Sequence, residues 1–128
     1  MDVNKHIEYW RTNAQEDWDA AIVLIGKKHY RHAMFFVHLS LEKTLKSAVV
    51  AATGEMPPRS HDLLRLAAMA GLAPNEDRSR KLARINRFCM EGRYPDNWIA
   101  PPDTDESTEI VGIARELLEW STKQFENE

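Results

Sequence analysis

Apolar side chains recur at three- and four-residue steps along most of this 128-residue chain, the period of a helix with one buried face. Between about Asn4 and Lys27 the stripe is Ile7, Trp10, Ala14, Trp18, Ala21, Ile22 and Ile25. Glu8, Arg11, Asn13, Glu16 and Asp19 lie on the other side. The spacing predicts a first helix that breaks at or just after Gly26. From about Arg31 to Thr53 the apolar positions go almost all round: Met34, Phe35, Phe36, Val37, Leu39, Leu41, Leu45, Ala48, Val49 and Val50. A helix so covered belongs at the centre of a bundle. Gly54 suits its C-terminal cap, and Pro57 and Pro58 forbid continuation.

A short third helix is predicted from Ser60, a good N-cap, to Ala70, stopped by Gly71. Pro74 suits the first turn of a fourth, with Glu76 and Asp77 near its positive end. Its buried stripe is Leu82, Ile85, Phe88 and Cys89, and Gly92 suits its cap. A last helix starting at Thr104 or Asp105 carries Ile110, Ala114, Leu117, Leu118, Ser121 and Phe125 on one face. Strand-period alternation of useful length is lacking. The expected fold is all-α, an antiparallel up-and-down bundle of four to five helices in a single domain spanning residues 1–128.

Composition narrows the class. With 43% hydrophobic and 29% charged residues the chain is neither disordered nor membrane-spanning. No apolar run approaches the roughly 18 residues a spanning helix needs. The start "MDVNKHIEYW" lacks the profile of a signal peptide, and one cysteine excludes an internal disulfide or a cysteine-based zinc site. A soluble cytoplasmic protein is expected. Net charge is −3, so the whole molecule is no generic polyanion binder. The charge is unevenly spread: residues 78–93 hold Arg78, Arg80, Lys81, Arg84, Arg87 and Arg93 against Glu91 alone, whereas 103–128 is acidic. Four tryptophans and a central helix apolar on nearly every side exceed what one small bundle readily buries. A homodimer is therefore expected.

Candidate chemistry concentrates in two places. His38, Glu42 and Lys46 stack at four-residue steps on the central helix, between the apolar flanks Met34, Leu41, Leu45 and Val49 and Phe35, Leu39 and Val50. Ionisable groups so placed must be paired, hydrogen-bonded or facing a cleft. One reading is a Glu42–Lys46 pair snorkelling at a helix crossing; the other is a polar seam lining a ligand groove or a dimer interface. The second place is "EGRYPDNW", residues 91–98. Pro95 restricts Tyr94 to an extended backbone, and Arg93 can reach back to the carboxyl end of the preceding helix or pair with Asp96. That makes an aromatic and ionic clasp. Alternatively Arg93 grips a phosphate while Tyr94 or Trp98 stacks on a base.

Arg80, Arg84 and Arg87 share the outer face of the fourth helix, which reads as a solvated charged face that the acidic last helix can neutralise, or as an RNA, nucleotide or acidic-protein contact. His61, beside Asp62, reads as a local cap or turn contact. The histidines form no grouping with metal geometry, and no phosphate loop or nucleotidyltransferase motif is present. No cofactor is expected.

The segments "FFVHLSLEKTLKS" (35–47), "PPRSHDL" (57–63) and "RYPD" (93–96), after an "EYW" opening and before a final "LLEW", resemble the HEPN superfamily of small prokaryotic helical-bundle domains, and the RYPD type within it. The resemblance spans nearly the whole chain. It implies a helical bundle that commonly dimerises and often pairs with a minimal nucleotidyltransferase in toxin–antitoxin or stress-response systems. Family members that cut RNA without metal use an arginine, four to six residues, then a histidine near the start of a late helix. After Arg93 those positions hold Trp98, Ile99 and Ala100, and no histidine follows His61. Arg31 and His38 fit the bare spacing but sit on the central helix, about two turns apart. The reading is a non-catalytic protein binding a nucleotide, RNA or a nucleotidyltransferase partner through His38, Glu42, Lys46, Arg84, Arg93, Tyr94 and Asp96. The alternatives are a metal-independent endoribonuclease toxin using Arg31 and His38, and a structural dimeric subunit without nucleotide contact.

Overall fold

The computed structural model describes residues 2–90 and 102–126, and in them the chain forms five helices. Helix α1, Val3–Gly26, begins where the Asp2 carboxylate accepts the Lys5 backbone N–H at 3.2 Å. Residues 27–29 reverse the chain through Lys28, at φ 62°, into α2, Tyr30–Thr53. The two helices pack along their lengths as an antiparallel hairpin. Ala14 and Ala21 are the fully buried residues of α1, and the Ser40 hydroxyl donates to the Ala14 carbonyl at 2.8 Å. Small side chains thus centre this crossing and let the backbones approach. Ile22, one residue round from Ala21, is turned outward and 40% exposed, not buried as the stripe predicts. Trp18 and Ile25 are partly buried and pack against the edge of the core.

Helix α2 is the axis, packed against each of the other four helices. Met34, Val37, Leu41, Leu45 and Val49 are essentially inaccessible to solvent. Gly54 ends it at φ 72°, its N–H donating to the Val50 carbonyl.

Two helix starts, those of α3 and α4, differ from expectation by a residue or two, and the last helix starts at Thr104 as expected. Helix α3, Leu63–Met69, is capped by Asp62, which accepts the Leu64 N–H at 3.0 Å; Ser60 lies two residues back and accepts the Asp62 N–H. Helix α4, Glu76–Met90, is capped by Asn75 through the Arg78 N–H at 2.8 Å, leaving Pro74 outside. Helix α5, Thr104–Glu126, is capped by Asp103 through the Glu106 N–H. In each case the short acceptor nearest the first free amides wins.

Leu63, Leu66, Leu82, Ile85, Ile110, Ala114 and Leu117 complete one core around α2. The expected cap Gly92 and the side chains of Cys89 and Phe125 lie outside what is described. Among the described residues no helix is long and apolar enough to cross a membrane.

Candidate functional site

The sequence stripe His38, Glu42, Lys46 is a buried seam: His38 is inaccessible, Glu42 and Lys46 nearly so. Apolar flanks on α2 force this, and the seam survives burial because its polar atoms are joined to one another and to the segment before α3. Glu42 Oε2 accepts from Lys46 Nζ at 3.0 Å, and Oε1 accepts from His61 Nδ1 at 2.9 Å. The backbone carbonyl of the same His61 accepts from His38 Nε2 at 3.0 Å. His38 is therefore the Nε2–H tautomer, with Nδ1 buried 3.8 Å from Glu42 Oε1 and unbonded. Burial outweighs the nearby carboxylate and lowers the His38 pKa, so the imidazole is held neutral. Lys46 Nζ also stands 5.3 Å from the Trp10 ring centroid, a cation–π contact that supplements its single carboxylate.

Residues 61–63 are fixed from the other side by α4. Asn86 accepts the Leu63 N–H and donates to the Asp62 carboxylate, both at 2.9 Å. Neither Asn86 nor the reach of His61 across to Glu42 was foreseen in the sequence. The only signal was an amide lying between the apolar positions Ile85 and Phe88 on an otherwise basic helix.

The cationic face of α4 is largely engaged. Arg84 meets Glu109 of α5 at 2.9 Å, and Lys81 bridges Asp77 and Glu116 at 3.0 and 3.3 Å. Arg80 pairs with Glu76 on its own helix. Through the Arg84 guanidinium the Glu109 carboxyl is held below its usual range. The acidic last helix thus answers the basic fourth one.

Arg31 lies at the amino end of α2, beside a 310 Å³ hollow that Lys28, His29 and His32 also line. His38 is buried about two turns further along. Arg93, Tyr94 and Asp96 fall outside the described residues, as does the choice between a clasp and a phosphate contact.

A different feature opens where α1 and α5 lie on α2 with little contact between them. The gap is a 360 Å³ groove with Ala14, Ser40, Thr44 and Leu118 at its floor. Arg11 and Trp18 rise from α1, Arg115 and Glu119 from α5. Arg11–Trp18 and Arg115–Thr122 are helical i to i+7 spacings, yet nothing local ties one helix to the other. Arg115 lies over the Trp18 ring, 5.7 Å from its centroid. Among the described residues neither Arg11 nor Arg115 has a carboxylate within ion-pair distance. Nor do those residues contain a cluster of three or more side chains able to hold a metal ion.

The family model for the HEPN domain matches residues 7–125. Among solved structures, TT1696 from Thermus thermophilus is similar with a TM-score of 0.78 at 22% identity, over 91% of this chain and 96% of that one. ST0689, described as an archaeal HEPN homologue, is similar with a TM-score of 0.74 at 23% identity, over 92% and 96%. No curated protein matches the chain.

Proposed function

This chain belongs to the HEPN domain family, and we propose that within it the protein is a non-catalytic cytoplasmic member that binds a nucleotide, RNA or a minimal nucleotidyltransferase partner, in a toxin–antitoxin or stress-response setting. The observation that carries the binding reading is the α1–α2–α5 groove, where two arginines face an open hollow without carboxylate partners among the described residues, while Arg80, Lys81 and Arg84 of α4 are paired with carboxylates. The non-catalytic reading is supported by His38. Proton transfer at a scissile phosphate needs an imidazole within reach of it. This one is inaccessible and already donates its N–H to a backbone carbonyl. Nucleotide chemistry then falls to the partner.

Gel-shift and calorimetric titration of the purified protein with RNA, ATP and a nucleotidyltransferase partner test this. Micromolar binding to at least one is expected; none at that concentration overturns the reading. Cleavage of RNA by the protein, abolished in a folded His38→Ala variant, would put an endoribonuclease in its place.

The protein is also proposed to act as a homodimer. Tyr9 and Val23 remain 58% and 63% exposed, and their fourteen-residue separation sets them within about 40° of each other around α1.

A further inference from the structure

The groove between α1, α2 and α5 combines features that specify a ligand class more narrowly than its family does. Two guanidiniums on opposite walls, unneutralised by carboxylates among the described residues, call for an anion with several oxygen acceptors. Arg115 is already ordered against the Trp18 indole, so little of its side-chain freedom remains to be lost on binding. The floor adds Thr44, a hydroxyl-bearing residue 5% exposed.

A bare inorganic anion would leave most of 360 Å³ empty, and the same hollow holds apolar surface from Trp18 and Leu118. Pockets of about 300–1,000 Å³ are the size that takes small organic ligands. Glu119 lines the same wall as Arg115. Its carboxylate opposes a ligand that is anionic along its whole length, and accepts hydrogen bonds from hydroxyl or amino groups. One charged end, one flat ring system and several O–H or N–H donors describe a nucleoside phosphate.

We propose that this groove is a mononucleotide site, with Arg11 and Arg115 on the phosphate, Trp18 and Leu118 against the ring system, and Glu119 accepting from ribose or base. The inference rests on the nucleotide-binding reading above and assigns that reading a place and a ligand size. The seam residues His38, Glu42 and Lys46 are not part of the site; they hold the helix that floors it.

Titration calorimetry with AMP, ADP, ATP, inorganic phosphate and a short single-stranded RNA, on wild type and on Arg11→Ala, Arg115→Ala and Arg80→Ala, tests it. Both groove arginines are exposed, so their removal leaves folding intact. At least one mononucleotide is expected to bind, about tenfold or more weaker in each groove variant and unchanged in Arg80→Ala. Quenching of tryptophan fluorescence should accompany binding and shrink in Trp18→Phe, which keeps an aromatic ring against the core. Mononucleotide binding that all the arginine variants retain would overturn the site while leaving the nucleotide-binding function standing. RNA or partner binding with no mononucleotide binding would overturn the inference alone. Phosphate binding as tightly as every nucleotide would overturn the ring assignment and with it the proposal.

Discussion

Glu42 and His61, nineteen residues apart, are joined by a 2.9 Å hydrogen bond from the imidazole Nδ1 to the carboxylate Oε1. This bond fastens the segment between α2 and α3 to the central helix. It also leaves Glu42 with a donor on each oxygen, since Lys46 supplies the other. A buried carboxylate so satisfied is stable in place but costly to disturb.

Removing that carboxylate should therefore be severe. Glu42→Ala strands Lys46, 7% exposed, without its counter-charge, and the expected loss is about 3–5 kcal/mol in urea unfolding. Replacing the pair together, Glu42→Leu with Lys46→Met, should recover much of it, because no unpaired charge is left inside. A double variant as unstable as Glu42→Ala would show that the pair is not the source of the loss.

Acid should weaken the fold through His38. Burial lowers its pKa in the native state, with Glu42 and the half-exposed His61 the charged or titratable groups facing it. The unfolded chain therefore binds the proton more readily. Its contribution is fully present above the ordinary value of 6.5 and declines as pH falls from there toward the lowered native value. Urea unfolding at about pH 7.5 and about pH 5, on either side of that ordinary value, should show a smaller acid loss in His38→Gln, whose amide can still donate to the His61 carbonyl. An identical loss in both proteins would assign it to other groups.

The Arg84–Glu109 contact should matter little to stability. Glu109 is solvent-exposed, and an exposed pair gains little beyond what water and salt already supply. Thermal melts of Arg84→Ala should nearly superimpose on wild type, most closely at high salt. A marked drop would mean that the pair organises the approach of α4 to α5.

Self-association should depend on the outward face of α1. Light scattering at tens of micromolar is expected to give a dimeric mass, and Val23→Asp to shift it toward monomer without altering the far-ultraviolet helix signal. A monomeric wild type would rule the dimer out.

Periodicity and local breakers were enough to specify the five helices, their order and the central place of α2, because a 3.6-residue apolar repeat and a stop such as Gly54 act within a few residues of one another. The same pattern marked His38, Glu42 and Lys46 as a stripe that could not stand unpaired. What answers them is His61, brought in by the turn after Gly54, in a segment that Asn86 of α4 holds at Asp62 and Leu63. The caps of α3 and α4 lie a residue or two from where local sequence alone sets them, since Ser60 and Asp62, or Pro74 and Asn75, compete on geometry that only the folded turn settles. The groove was hidden altogether. Arg11 and Arg115 are 104 positions apart, and they face one hollow only because α1 and α5 both lean on α2 without closing on each other. Side-chain periodicity tells which face of a helix is buried; which two faces leave a gap is decided by how the helices cross.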